Sequence, residues 1–277
     1  MIKFSKLQGA GNDFVIINLL DGKTDDLSEL AKMMCNRHFG IGADGLIAVN
    51  NSHLADVAMI YYNSDGTIGE MCGNGIRCFS KYVYEKSIVR KEKILVETMA
   101  GIKEIFLSEK DGKVNSIRVD MGTWDFNVNH IPVNTKLDKF IQETMEIDQK
   151  NIQISCVLLG VPHAVIFVDE INTQKTAALG PIIENMNIFP KRINVNFVQL
   201  VDRSHIKVDT WERGAGKTLA CGTGACASVV VANKLGYIDD FAYVSVAGGE
   251  LRIDIQENQK VIMEGKAEFI CDGEFYI

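Results

Sequence analysis

The chain is poor in proline, with four in 277 residues. No low-complexity tract or Pro/Gly/Ser-rich stretch marks a linker. It has no uninterrupted run of about 18 apolar residues, which excludes a membrane-spanning helix. Its first residues, Met1-Ile-Lys-Phe-Ser-Lys, lack the apolar core and small-residue cleavage site of a secretory signal. Positive charge is also in deficit. Lys and Arg number 29 against 36 Asp and Glu, a net charge of −7. A phosphate-binding surface needs a basic face, so nucleic acid is excluded as the main partner. Disorder is excluded in turn, because 47% of the residues are hydrophobic and only 23% charged. The length suits one large or two medium domains, each able to bury a core. Cys35, Cys72, Cys78, Cys156, Cys221, Cys226 and Cys271 make an odd count in a long chain. A secreted disulfide scaffold is more often short, with an even count. The expectation is a cytoplasmic protein with reduced thiols.

Runs rich in Val, Ile and Phe, bounded by Gly, Asn or Asp, predict strands at Phe14–Ile17, Gly45–Val49, Val57–Tyr62, Ile94–Glu97, Ile117–Met121, Ser155–Leu159, Ala164–Val168, Val195–Val201, Ile206–Trp211 and Val261–Glu264. Helical patterns are fewer: Asp26–Cys35 after a cap at Thr24, then Gly75–Glu85 and Gly224–Leu235, each after a glycine-rich loop. Strand runs with occasional helices predict an α+β fold.

The chain also resembles itself. Cys72-Gly-Asn-Gly opens one strong helix and Cys221-Gly-Thr-Gly the other, 149 residues later. Nine residues before each Cys stands a polar residue preceded by an aromatic, Tyr62-Asn63 and Trp211-Glu212. Further upstream, Gly9–Ile17 lines up with Gly160–Val168. Three features in one order at nearly one spacing predict two pseudo-symmetric domains, joined near Val119–Gly122, with a site built where the halves meet.

A Cys at a helix N-terminus lies in the positive end of the macrodipole, which favours the thiolate. The glycines leave backbone N–H groups exposed at the helix start, an anion site suited to a carboxylate. Two such helices predict a thiol on either side of one carboxylate-bearing carbon, and inversion there by two bases. Cys78 and Cys226 read as small core residues, and Cys35, Cys156 and Cys271 as buried. The spacings Cys72-x5-Cys78 and Cys221-x4-Cys226 are not those of zinc or redox dithiol motifs, so no metal is expected. Gly214-Ala-Gly216-Lys217-Thr218 mimics a phosphate loop, but the pattern needs Gly where Trp211 stands. Gly9-Ala10-Gly11 starts like a dinucleotide fingerprint, yet Phe14 takes the last glycine position and a strand follows.

At these residues the sequence resembles the diaminopimelate epimerase family along its whole length. The segments are Gln8–Phe14, Arg37–Gly45, Asn63–Gly66, Glu70–Cys78, Pro162-His163, Asn194, Glu212–Gly216 and Ala220–Ala225. The resemblance implies two similar domains, each a mixed or antiparallel barrel-like sheet wrapped around a central helix. The first would hold residues 1–118 and a returning C-terminal strand, 266–277; the second would hold 119–265. It implies epimerisation of LL- to meso-diaminopimelate for lysine and cell-wall synthesis, in a cleft between domains, without pyridoxal phosphate, metal or other cofactor.

Carried over residue by residue, Cys72 and Cys221 become the acid–base pair, and the N–H groups of Gly73, Asn74, Gly222 and Thr223 cradle the reacting carboxylate. Asn12 and Glu212 hold the ammonium, His163 and Glu212 tune Cys221, and Asn63, Asn194 and Arg213 grip the distal carboxylate. The residues alone leave plainer roles open: turn-forming for Asn12 and Asn63, structural bonding for His163, and a surface position for Arg213. Val161 and Gly45 depart from the Asn and Gln that many members carry there, and Val161 cannot donate a hydrogen bond. A change of this kind shifts specificity. Racemisation of another amino acid such as histidine is therefore the alternative substrate reading, and a non-enzymatic amino-acid binder or thiol redox protein ranks below it. The partner expected is a small amino acid, with pairing into a homodimer left open.

Overall fold

A computed structural model describes residues 1–20, 22 and 26–276. The chain divides into two compact units, Met1–Asp120 with Glu264–Ile277, and Met121–Met263. In chain order the first comprises β1 (Ile2–Gly9), β2 (Asn12–Asn18), α1 (Leu27–Cys35), β3 (Gly45–Asn50), β4 (Val57–Asn63), β5 (Ile68–Gly69), α2 (Gly73–Glu85), β6 (Lys93–Thr98), β7 (Gly101–Lys110) and β8 (Lys113–Thr123), whose end passes the boundary. The second comprises β9 (Glu143–Ile147), β10 (Lys150–Leu159), β11 (Val161–Phe167), α3 (Thr173–Glu184), β12 (Asn194–Asp202), β13 (His205–Glu212), β14 (Gly216–Lys217), α4 (Gly222–Lys234), β15 (Phe241–Val246), β16 (Gly249–Ile255) and β17 (Lys260–Gly265). The last strand, β18 (Glu268–Phe275), pairs with β1 and completes the first unit.

Pairing follows one pattern in both units. In the first, β1 runs antiparallel to β2, β2 parallel to β3, β3 antiparallel to β4, β4 parallel to β6 and β6 antiparallel to β7. In the second, β10, β11, β12, β13, β15 and β16 repeat those senses in order. Strand register fixes the correspondence at 149 residues from the second strand onward: Phe14 pairs with Gly45, and His163 with Asn194. The counterpart of Gly160 is therefore Gly11, not Gly9 as the sequence comparison aligned them. Gly11 (φ 85°) and Gly160 (φ 68°) both take the left-handed turn conformation that favours glycine, whereas Gly9 lies inside β1.

Alternation along each strand decides what faces the site. In the first unit Val15, Ile17, Leu46 and Ala48 pack on α1 with Leu30, Ala31 and Met34. That turns Phe14, Gly45, Ile47, Tyr61 and Asn63 to the other face, toward α2. In the second unit Ala164, Ile166, Val195, Phe197 and Trp211 pack with Ile183 of α3. That turns His163, Asn194, Asn196, Thr210 and Glu212 toward α4. With helices on both faces, these strands read as continuous apolar runs. The two inner helices are buried almost all round, α2 from Gly73 to Tyr84 and α4 over most of its length. A helix in that position is a core element, and each unit is a sheet wrapped around one.

Three local features differ from the sequence expectations. The Thr24 cap lies outside the described residues; Asp26 caps α1, its carboxylate accepting from the Glu29 N–H at 3.0 Å. Helix α3 escapes the sequence pattern because it carries Gly180 and Pro181. Gly180 is required there, since a Cβ would lie 2.5 Å from the Trp211 ring. The strong helices start two residues earlier than predicted, at Gly73 and Gly222, because the cysteine side chains cap them.

Candidate active site

Cys72 is the N-cap of α2 and Cys221 the N-cap of α4, both in extended backbone (φ −130°, ψ 121° and φ −111°, ψ 110°). A cap residue's side chain accepts from the third helical N–H. Here the sulfur does so: Cys72 Sγ accepts from Gly75 N at 3.4 Å, and Cys221 Sγ from Gly224 N at 3.3 Å. The preceding N–H groups, of Gly73 and Asn74 and of Gly222 and Thr223, belong to the first helical turn and point out of its end. Each helix thus presents a thiol beside an anion-binding N-terminus.

In the first unit the Asn74 side chain donates to Asn12 Oδ1. Asn12 Nδ2 donates to Asp44 Oδ2 at 3.0 Å, and Asp44 is held by Arg37 at 2.8 Å and by the Asp13 N–H at 3.1 Å. Asp13 in turn accepts from Arg37 at 2.8 Å and pairs with Lys6 at 2.9 Å. Burial pushes the Asp13 carboxyl up, but its bonds to Arg37 and Lys6 together hold it below the usual range. The Asn12 amide is thereby oriented with Oδ1 toward the helix end, the oxygen an ammonium would seek. Asn63 is oriented similarly. Tyr61 O–H donates to its Oδ1 at 2.7 Å, and its Nδ2 donates to Thr67 Oγ1 at 3.0 Å. Gly45 makes room for that tyrosine, since a Cβ would lie 2.6 Å from the Tyr61 ring and from the Tyr62 carbonyl. A larger side chain such as Gln at this position does not fit beside Tyr61.

In the second unit Cys221 is buried, with Thr223 Oγ1 at 3.5 Å. Burial pushes its thiol well above the ordinary value, and the neighbouring Glu212 charge adds to that. The expectation that a helix N-terminus favours the thiolate therefore fails for Cys221 at rest, because desolvation and a like charge outweigh the dipole. Glu212 accepts from Thr218 Oγ1 at 2.5 Å. Asn194 is committed to backbone: Nδ2 donates to Pro162 O and Oδ1 accepts from Arg213 N, both at 2.9 Å. The half-buried Arg213 donates from its guanidinium to Lys191 O at 3.1 Å. His163 is fully buried, and burial followed by the Arg213 charge pushes it down to about 3, so it is neutral. Val161, which carries no polar group, stands 149 residues after Asn12.

The structure thus groups Asn12, Asn74 and Cys72 in one unit, with Asn63 on the same sheet face. In the other it groups His163, Asn194, Glu212 and Cys221, with Arg213 at the strand end. Cys35, Cys78, Cys156 and Cys226 are buried; burial pushes Cys35 and Cys78 up to about 12, which leaves them inert thiols near neutrality. Cys271 is exposed, contrary to expectation, because it lies on the outer face of β18. Sequence reasoning missed Asp44, Tyr61, Asn196 and Thr210, which act on the site through other side chains. The signal available for Asn196 and Thr210 was a polar residue in an otherwise apolar strand run. Among the described residues no three or more His, Cys, Asp or Glu side chains cluster as metal ligands would.

Similarity to known proteins gives the family. The family described as diaminopimelate epimerase matches residues 4–126 and 155–270. A diaminopimelate epimerase of Alkaliphilus metalliredigens is 46% identical over 275 residues, 99% of this chain and 97% of that protein. One of Clostridium perfringens is 47% identical over 275 residues, 99% of each chain. Among solved structures, a probable proline racemase from Agrobacterium radiobacter K84 has a TM-score of 0.73 at 15% identity, covering 100% of this chain and 93% of that one. At that identity the likeness speaks to fold alone. On the sequence matches, this chain belongs to the diaminopimelate epimerase family.

Proposed function

We propose that the chain is an isomerase interconverting LL- and meso-diaminopimelate by proton transfer at Cα, a step of lysine and peptidoglycan precursor synthesis in the cytoplasm. The observation that carries the mechanism is the pair of cysteines at equivalent helix N-caps of two units with one topology. One thiolate takes the α-proton and the other thiol delivers a proton to the opposite face, so configuration inverts. Both proton steps are supplied by the two thiols.

The barrier lies in the weak acidity of the α-hydrogen. N–H groups of Gly73, Asn74, Gly222 and Thr223, directed at the α-carboxylate, stabilise the charge that gathers on it as the proton leaves. In comparable sites one such donor is worth on the order of 100–1000-fold in rate. The substrate ammonium, held by Asn12 and Glu212, also acidifies the α-hydrogen. It has a second effect at Cys221. The Glu212 charge helps hold that thiol protonated, and an ammonium against Glu212 cancels it. Each unit by which the thiol falls is worth about 1.4 kcal/mol toward the thiolate. Substrate binding thus readies Cys221 as a base. Asn63, Asn194 and Arg213 serve the distal carboxylate, with Arg213 supplying the cation of that set.

Incubation with LL-diaminopimelate in deuterated water tests this: deuterium should enter at Cα without added cofactor, and Cys72→Ala should stop turnover. Ordinary turnover in Cys72→Ala would refute the two-base mechanism. Val161 favours a second reading, a different amino-acid substrate. A panel in which histidine or glutamate exchanges and diaminopimelate does not would establish that reading instead.

A further inference from the structure

On the face of the second unit that packs toward α4, three polar side chains lie side by side on adjacent strands: His163 on β11, Asn196 on β12 and Thr210 on β13. All are buried, His163 and Asn196 completely. Thr210 Oγ1 donates to Asn196 Oδ1 at 3.1 Å. Asn196 Nδ2 donates to the Ala164 carbonyl at 3.0 Å and faces His163 Nδ1 at 3.2 Å. The Ala164 carbonyl, which can only accept, decides which end of the carboxamide is nitrogen, and the threonine hydroxyl turns its proton to the oxygen at the other end. Nδ1 of the histidine therefore faces a donor and must accept. A neutral imidazole with one accepting nitrogen carries its proton on the other. That other nitrogen, Nε2, is buried and has no hydrogen-bond partner among the described residues.

The surroundings keep the ring uncharged. A charged imidazolium donates from both nitrogens, and Asn196 offers Nδ1 only a donor. On the neighbouring strands Val157 of β10 pairs with His163, β12 contributes Asn194 and Asn196, and β13 ends in Glu212, with Arg213 just beyond. Helix α4 brings Cys221 and Cys226. A buried donor with no acceptor calls for an explanation, and a bound ligand that supplies the acceptor is one.

We propose that Asn196 and Thr210 are positioning residues that lock His163 as a neutral imidazole protonated on Nε2, so that the ring serves as a hydrogen-bond donor to a carboxylate oxygen of the bound amino acid and not as a proton-accepting base. The assignment of the acceptor rests on the epimerase reading above. The lock itself rests on three hydrogen bonds inside one unit.

Nitrogen-15 NMR of the histidine-labelled wild-type chain tests the lock directly. His163 should carry its proton on Nε2 from pH 5 to 9, and the Nε2–H signal should shift when diaminopimelate binds. Asn196→Asp replaces the donor with an acceptor, so the proton should move to Nδ1 and leave a lone pair at Nε2. The kcat for α-deuterium exchange should then fall about 100-fold or more, the cost of losing one preorganised donor. Thr210→Val should lower kcat in the same sense, and Thr210→Ser, which keeps the hydroxyl, should restore it. A merely structural role would move stability in these variants but not the tautomer. Should Asn196→Asp fail to fold, the wild-type spectrum and the Thr210 pair still decide. A wild-type His163 that is protonated on Nδ1, or that titrates near neutrality, overturns the proposal. So does an Asn196→Asp chain with the switched tautomer and an unchanged kcat. Failure of the parent reading looks different: the wild-type chain would not exchange diaminopimelate at all, while the ring still carried its proton on Nε2.

Discussion

Gly224→Ala probes how tightly the second cysteine is seated. A Cβ at that position would lie 2.3 Å from Asn196 Oδ1 and 3.2 Å from both Cβ and Sγ of Cys221. The overlap with the oxygen is about 1 Å, judged against ordinary heavy-atom contacts of about 3.5 Å. Asn196 has no room to yield, because Ala164, His163 and Thr210 hold it by hydrogen bonds at 3.0–3.2 Å. The helix start must move instead, or the asparagine network must break. Overpacking of this kind costs about 1–3 kcal/mol. Alanine's better helix propensity offsets at most about 1 kcal/mol of it. The expected net loss is about 1–2 kcal/mol, read as a lower denaturation midpoint at unchanged slope. Activity should suffer more, since a displacement of about 1 Å at a reacting group can cost 100-fold in rate. Gly75→Ala is the internal control. Its Cβ would meet the end of the flexible Ile47 side chain at 3.2 Å and Cys72 Cβ at 3.3 Å. Ile47 can adjust, so Gly75→Ala should be much milder in both readouts. Urea denaturation and α-deuterium exchange on both variants make the test. Equal stability and equal kcat in the two would refute the seating argument.

Glu212→Gln removes one of the two causes that hold the Cys221 thiol up, so its alkylation should begin at lower pH than in the wild type while KM for the amino acid rises; an unchanged alkylation profile counts against the pairing. His163 is held down to about 3, below its unfolded value of about 6.5, so the unfolded chain binds a proton that the folded one does not. Its contribution to stability is present above pH 6.5 and is lost as pH falls toward 3, by on the order of 1 kcal/mol per pH unit. Denaturation of wild type and His163→Asn across that window should show the variant with the shallower dependence. Gly45→Ala should destabilise by about 1–3 kcal/mol, because the Tyr62 carbonyl it meets is backbone and cannot rotate away; a wild-type midpoint would refute this.

Much of this architecture was legible in the residues because it is periodic or local. The ten predicted runs fall on strands, since buried β-branched runs leave few other options, and the repeat of Cys-Gly-x-Gly marks two equivalent helix starts. What stayed hidden depended on partners distant in sequence. Helix α3 carries a glycine and a proline that argue against a helix, and only the Trp211 ring pressed on Gly180 explains why the glycine stays. The strands β1, β7 and β18 alternate with exposed charged residues and lack a compact apolar run. At the site, nothing near Asn196 in sequence says that His163 lies beside it, 33 positions away. The protonation of Cys221 is hidden for the same reason: the helix dipole is readable from position, but burial and the approach of Glu212 are not.

The two halves share a topology but not a chemistry, and the difference follows from the substrate. At positions 149 residues apart, Phe14, Ile47, Tyr61 and Asn63 of the first unit stand against His163, Asn196, Thr210 and Glu212 of the second. Diaminopimelate brings an ammonium at the reacting carbon and a carboxylate at its far end, and Glu212 and Asn63 are assigned to these opposite charges. On the two-base mechanism a single carboxylate, Glu212, meets the ammonium. A carboxylate at position 63 would instead face the distal carboxylate that Asn63 is assigned to hold, like charge against like. Juxtaposed like charges cost several kcal/mol, which here would set substrate against its own site. Asn63→Asp tests this, being nearly the same in shape and different in charge. Its KM should rise 100-fold or more at pH 8, where the new carboxylate is ionised. The defect should shrink as pH falls toward 5 and that carboxylate begins to take up a proton. A KM equal to wild type at pH 8 would mean that position 63 does not meet the distal carboxylate.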